Sequence, residues 1–250
     1  TGVYFDYVVA SHVIEHTPNV VEWLREVAEV LRPGGVCCLA IPDKRFTFDI
    51  RRVATDVSVM IDDYLERRRR PSARAIFEHV ANAAEVDVAD AWAGRVRAAD
   101  LPRHSSAGAA FDQAARALRE RAYQDVHCYA FTPASFAAAL RTLMELDLVP
   151  LRVRSFRTTA VNDAEFFVQL EKLDPALPAS ERRRLQLDSL PPPAQTSSAD
   201  VEAMNDELRQ RDALLAAMRG SRSWRVTAPL RALLAAVARL KHGLAGPPRR

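Results

Sequence analysis

Residues 6–45 read Asp6-Tyr7-Val8-Val9-Ala10-Ser11-His12-Val13-Ile14-Glu15-His16, then a helical pattern, then Leu31-Arg32-Pro33-Gly34-Gly35 and a second apolar run closing on Ile41-Pro42-Asp43-Lys44-Arg45. That order is strand, polar loop, helix, glycine turn, strand: one βαβ unit. Residues 4–10 are an aromatic and β-branched run of strand length, nearly all apolar, as expected of a parallel strand covered on both faces. Asn19 can cap a helix, with Glu22 in the position that completes the cap. Val20, Leu24, Val27 and Leu31 then recur at helical spacing as one apolar stripe. Pro33 cannot continue that helix, and Gly34 and Gly35 tolerate the positive φ that a reversal needs. Residues 36–41 are the next buried strand, and the short connection implies parallel pairing through a right-handed crossover. Ligands of such sheets lie beyond the carboxyl ends of the strands. Those ends carry Ser11-His12-Val13-Ile14-Glu15-His16 and Pro42-Asp43-Lys44-Arg45. The chain opens inside this unit at Thr1 rather than at a methionine, so a lost upstream segment is expected.

Length and composition fit one substantial domain with appendages. The formal net charge is +3, and arginine supplies nearly all of the positive charge because lysine occurs only at positions 44, 172 and 241. Runs such as residues 67–70 and 182–184 read as solvated helix faces; no zinc-finger, RNP or helix-turn-helix pattern accompanies them, so a nucleic-acid partner is not expected. Cys37 and Cys38 are adjacent in a predicted strand and point to opposite faces, which argues against a disulfide framework and for a reducing, cytoplasmic location. Neither a signal peptide nor a run of apolar residues long enough to span a membrane is evident.

Beyond the βαβ unit, residues 50–125 are rich in alanine and arginine and read as helices. Val59, Ile61, Tyr64 and Leu65 give one apolar face and Phe111, Ala115, Leu118 and Ala122 another, with a mobile link over residues 94–108. Residues 174–199 hold Pro175, Pro178, Pro191, Pro192 and Pro193 among polar residues and read as an extended linker. In residues 200–219, Val201, Met204, Leu208, Leu215 and Met218 keep a heptad seam broken by Arg211, a short coiled coil suited to self-association. Residues 220–250 end in a basic amphipathic helix, with Leu233, Leu234, Val237, Leu240 and Leu244 beside Arg231, Arg239, Lys241 and His242. Such a helix suits either an anionic membrane surface or docking to a partner.

The run 5–16, with Trp23-Leu24, Leu31-Arg32-Pro33-Gly34-Gly35 and Ile41-Pro42, resembles the second half of a class I S-adenosylmethionine-dependent methyltransferase of the small-molecule type 11 kind. Phe131-Thr132-Pro133-Ala134-Ser135-Phe136 begins a helix running to Met144. Residues 151–159 and 165–173 read as the antiparallel strand pair that ends such enzymes. The resemblance covers residues 1–173 and implies the C-terminal half of a Rossmann-like α/β sheet with a helical insertion, which forms a cap over the acceptor or merely covers a sheet edge. It implies S-adenosylmethionine as cofactor. The family's glycine-rich loop and the acidic residue after its second strand are not found in this sequence, so the chain alone is expected to bind the cofactor poorly. Ser221-Arg222-Ser223-Trp224-Arg225-Val226-Thr227-Ala228-Pro229-Leu230-Arg231 resembles the tail of bacterial surface-polysaccharide glycosyltransferases and their fused methyltransferases. That implies a glycan acceptor and a possible glycosyltransferase partner.

In the family fold the Ala10-Ser11-His12 backbone flanks the methionine part of the cofactor. His12 and His16 lie near the methyl group and are candidate proton acceptors, since an imidazole pKa suits a base at neutral pH. Glu15 and His16 correspond to the family's Glu-His pair, which in some members faces the acceptor or a divalent metal and in others only braces the loop. Asp43, Lys44 and His127 are candidate acceptor contacts, with a packing role as the alternative for His127. Two further readings stay open. His12-Val13-Ile14-Glu15-His16 fits the inverted zinc-peptidase pattern, which needs both histidines on one helix face, although Pro18 interrupts any helix there. The chain also fits a non-catalytic methyltransferase-like scaffold that acts through its coiled coil.

Overall fold

The computed structural model describes residues 4–192. Strand β1 (Phe5–Ser11) passes through a 3₁₀ turn at Ile14–His16 into helix α1 (Val20–Val30), and strand β2 (Leu31–Pro42) returns parallel to β1. The Asn19 side chain accepts a hydrogen bond from the Glu22 backbone N–H at 3.1 Å, and Val20, Leu24, Val27 and Leu31 are buried as the stripe requires. Leu31 pairs with Phe5 and Val36 with Tyr7, so the residues between them bulge out of the ladder. Glycine is needed at that bulge. Gly34 has φ +77°, and a Cβ on Gly35 would stand 2.9 Å from the Arg32 carbonyl oxygen.

A helical insertion follows β2. It comprises α2 (Val57–Leu65), α3 (Ala73–Asn82), α4 (Val88–Trp92) and α5 (Ala107–Glu120), after a 3₁₀ turn at Phe48–Arg51. Helix α6 (Pro133–Glu145) begins with a reciprocal Thr132–Ser135 capping box and leads to β3 (Leu151–Arg157), β4 (Glu165–Lys172) and α7 (Ala179–Asp188). The strand order is β1-β2-β4-β3, with β4 antiparallel to both neighbours, a Rossmann-like α/β arrangement with the expected antiparallel pair at one end. Leu24, Ile41, Phe131, Leu140, Leu143 and Phe166 lie in one continuous core between the sheet and its helices. Among the described residues no helix is long and apolar enough to cross a membrane.

Four sequence expectations need correction. β1 is an edge strand with one bare face: Val8 and Ala10 turn toward the core, whereas Tyr7 and Val9 are 65% and 77% exposed. The buried face of α5 is Ala110, Ala114 and Ala117, while Phe111 and Leu118 point outward; Ala114 and Ala117 pack with Ile76 and Val80 of α3, where larger side chains would hold the helices apart. The link over residues 94–108 is anchored, since Arg51 Nη1 donates to the Ala99 and Leu101 carbonyls at 3.1 and 2.8 Å. Part of the expected linker is a docked helix. In α7, Gln186 Nε2 donates to the Val149 and Leu151 carbonyls at 2.6 and 3.0 Å, and just beyond it Ser189 Oγ accepts from Val153 N–H at 2.9 Å. The coiled coil of residues 200–219 and the tail of residues 220–250 lie outside the described residues.

Candidate active site

The carboxyl ends of β1 and β2 open onto a cleft of about 400 Å³ whose walls include His12, Phe46, Phe48, Glu85, His104 and His127. The insertion therefore supplies one wall, and Phe46 is stiffened there by stacking on Trp92 with ring centroids 4.2 Å apart. His12 turns the chain out of β1 at φ +52°, a left-handed value uncommon for a non-glycine residue, while its N–H donates to the Ala40 carbonyl at 3.0 Å. This geometry delivers the imidazole to the cleft mouth. Its Nε2 lies 2.7 Å from Glu165 Oε2 on β4, and its Nδ1 lies 3.7 Å from Glu15 Oε1.

Glu15 is fully buried, and neither of its carboxylate oxygens has a hydrogen-bond partner among the described residues. Burial pushes its carboxyl above the usual range, against the lowering influence of its own backbone amide and of His127, His16 and His12 nearby. The loop is held from the far side, because the Glu15 carbonyl accepts from the N–H groups of Cys128 and Tyr129 at 2.6 and 3.2 Å. His16 Nε2 stands 4.0 Å from Glu15 Oε1, and His16 Nδ1 is bound by Asp125 at 2.7 Å. His127 packs edge-on against His16, with ring centroids 4.5 Å apart. Of the two histidines expected as proton acceptors, only His12 lines the cleft.

Below this layer sits a buried polar knot. Asp49 Oδ2 holds His127 Nδ1 at 2.5 Å, and Arg52 Nη1 donates to Asp49 Oδ1 at 3.1 Å and to the His127 carbonyl at 3.0 Å. Burial acts to raise the Asp49 carboxyl, but the His127 hydrogen bond and the Arg52 charge outweigh it and hold the group below its ordinary value. Burial pulls His79 down to about 4, so it is neutral, with Nδ1 accepting the His127 backbone N–H at 3.2 Å. None of these partners carried a sequence signal.

Asp43 and Lys44 do not face the cleft as expected. Asp43 is fully buried, gripped by Arg45 and by Thr159 Oγ1 at 2.7 Å, and Lys44 Nζ donates back to the Ile50 carbonyl at 3.4 Å. Ala10 is buried and Ser11 exposed at the β1 terminus. The described glycines lie at the β2 bulge or in the insertion, and none follows the carboxyl end of a strand. With Asp43 consumed internally, the residues present do not fit S-adenosylmethionine by themselves: they offer neither a backbone cradle for its amino-acid part nor a free strand-end carboxylate for its ribose. The zinc-peptidase pattern also lacks its geometry, because His12 sits on a left-handed turn and His16 on a 3₁₀ turn rather than together on an α-helix.

A family model described as methyltransferase domain matches residues 2–143, more than half of the chain. No curated protein matches it, and no solved structure does.

Proposed function

This chain belongs to the methyltransferase domain family, and from that premise we propose that it forms the acceptor side of a site for S-adenosylmethionine-dependent methyl transfer to a hydroxyl group of a bacterial surface glycan or its precursor. The observation that carries this reading is the His12–Glu165 pair at 2.7 Å on the rim of a cleft at the strand ends. A carboxylate on Nε2 favours the tautomer with its proton there, which leaves the Nδ1 lone pair to take a hydroxyl proton. It also stabilises the imidazolium that results. Methyl transfer needs little covalent help from the protein, so the remaining task is to hold the hydroxyl in line.

The cleft suits a sugar, which presents both polar edges and apolar faces: Phe48, partly exposed, offers apolar ring surface while Thr47, Glu85 and His104 offer polar groups. The insertion acts in this reading as the cover that excludes water from the acceptor. The tail resemblance at residues 221–231 favours a cell-surface glycan and a glycosyltransferase partner. The heptads at residues 200–219 favour self-association, and the basic helix after Pro229 favours peripheral contact with an anionic membrane on the cytoplasmic side.

The test is transfer of labelled methyl groups to a panel of free and nucleotide-linked sugars by the gene product that carries this chain. His12→Ala is expected to lower kcat by about 10²- to 10⁴-fold, the range of a general base, with little change in cofactor affinity. Near-normal turnover in that variant removes His12 from the chemistry.

A further inference from the structure

We propose that the chain pairs with a second copy of itself, about a two-fold axis, through the groove between α1 and the end of α2. The groove encloses about 620 Å³; Glu22, Glu26 and Glu29 of α1 line one side, and Arg67 and Arg69, on the turn that follows α2, line the other. Half-buried Trp23 and Tyr64 line it too, and both pack against the core. This surface is separate from the heptads of residues 200–219 and from the cleft at the strand ends.

The two sides carry opposite charge and leave it unused. All five charged residues are exposed, yet among the described residues none of them forms an ion pair. Arg68, between the two arginines, differs: its Nη2 stands 3.2 Å from Asp62 Oδ2. Nor does α1 gain from its acids. The three glutamates follow one another at steps of four and three residues, which lines them up on one helix face, where like charges repel. Glu29 lies in the last turn, at the end of the helix dipole that disfavours an acid, and no basic residue shares that turn. The row costs the isolated chain stability, and cations brought from outside recover it.

A second copy supplies both signs at once, whereas a simple anion or cation would satisfy one side only. The groove is bordered by its own ridge: α2 ends at Leu65, which is 72% exposed, and the chain then turns at Arg67 with φ +48°. A two-fold interface sets one patch against itself, so a patch that holds a groove and a ridge side by side can seat each ridge in the other copy's groove. The arginine turn of one protomer then meets the glutamate row of the other, twice over, and Leu65 is covered beside Trp23 and Tyr64. A charged rim around so small an apolar centre is the make-up of an exchangeable dimer rather than an obligate one.

The experiment uses the full 250-residue chain, with Leu208→Lys and Leu215→Lys in every sample so that the heptad seam adds no association of its own. Light scattering at a chain concentration of about 0.1 mM and low salt, where a Kd of about 1 µM leaves most chains paired, should return the mass of two chains. Raising the salt to about 1 M, where the screening length is about 3 Å, should return the mass of one. Glu26→Arg and Arg69→Glu each place like charges at both contacts of the two-fold pair and should weaken pairing by about 100-fold or more. Mixed in equal amounts, those two variants should pair as the parent does, because each contact then joins an arginine to a glutamate. Asp112→Arg, an exposed reversal on α5, should also pair as the parent does. Circular dichroism of each variant separates loss of pairing from loss of the fold.

A parent that keeps the mass of one chain at low salt leaves the groove to another occupant and overturns the proposal. So does pairing that survives high salt or both reversals, and so does a mixture of the two variants that fails to recover pairing. The readout involves no methyl transfer, so it stands or falls independently of the proposed activity.

Discussion

Arg52→Met tests whether the polar knot under the cleft is desolvated. The Arg52 side chain is 1% exposed and its guanidinium serves Asp49 Oδ1 at 3.1 Å, the His127 carbonyl at 3.0 Å and the Cys128 carbonyl at 3.4 Å. Methionine fills much of the same volume but returns none of those donors. Asp49, 2% exposed, keeps only His127 as a charged or strongly polar partner, and two buried carbonyls lose a donor. Breaking a buried pair by removing one member costs about 3–5 kcal/mol, because the survivor stays buried without its counter-charge. For a domain of this size that corresponds to a fall in Tm of about 6–20 °C. Urea unfolding followed by circular dichroism is the assay, with a lower midpoint and an unchanged slope expected. Arg52→Lys should recover only part of the loss, since a single ammonium cannot reach both the carboxylate and two carbonyls in the way a planar fork does. Asp49→Asn combined with Arg52→Met should cost less than the sum of the two single changes. A loss below about 1 kcal/mol for Arg52→Met, the range of exposed ion pairs, would mean that water reaches the knot and that the buried-charge reasoning fails.

Burial pushes the thiols of Cys37 and Cys128 up to about 12, so both should resist an aromatic disulfide reagent at neutral pH in the native protein and react only on unfolding. Cys38, half-buried on the open sheet face, should react first, and fast labelling of Cys128 would place that segment outside the core. Ending the chain after Leu173 removes α7, and with it the partners of Val149 and Leu151 carbonyls and of Val153 N–H; unfolding by urea should show a loss of about 2 kcal/mol or more relative to a chain ended after residue 192. Equal stability of the two would return residues 174–192 to the status of a linker. The chain ended after residue 192 should keep the parent fold while losing salt-sensitive sedimentation with anionic vesicles, and unchanged sedimentation would remove the tail from membrane contact.

The βαβ unit was legible because its signals are local. Asn19 caps the helix that begins at Val20, and proline and glycine mark the bulge where β2 starts. The face of β1 was not legible, since a strand that is apolar from Tyr7 to Ala10 shows no alternation there and its exposure depends on what packs beside it. The register of α5 was misread for a different reason. Phe111 and Leu118 dominate any hydrophobicity pattern, yet close packing against α3 selected the weakly apolar alanines. At the candidate site, the strand-end rule pointed to His12, Glu15 and His16, which the structure places side by side, and also to Asp43 and Lys44, which the fold turns inward to Thr159 and Ile50. Glu165, Asp125, Asp49 and Arg52 come from segments remote in sequence, where no motif marks an acid as the partner of a particular histidine.

That division has a physical basis in Glu15. Local sequence places it on a 3₁₀ turn after a strand, where a carboxylate would ordinarily reach water. Its burial is imposed from a distance, by the backbone of Cys128 and Tyr129 closing over the turn and by His127 and His16 packing above it. Folding has thus been made to enclose a group that a glutamine or a methionine would satisfy at lower cost, and has surrounded it with three imidazoles, each held on its other side by an acid. Stability alone gives no reason for that arrangement, since an unpartnered buried carboxylate opposes folding. A local rule broken without a structural gain is what a functional constraint would leave behind, and in this chain it lies beside the cleft at the strand ends.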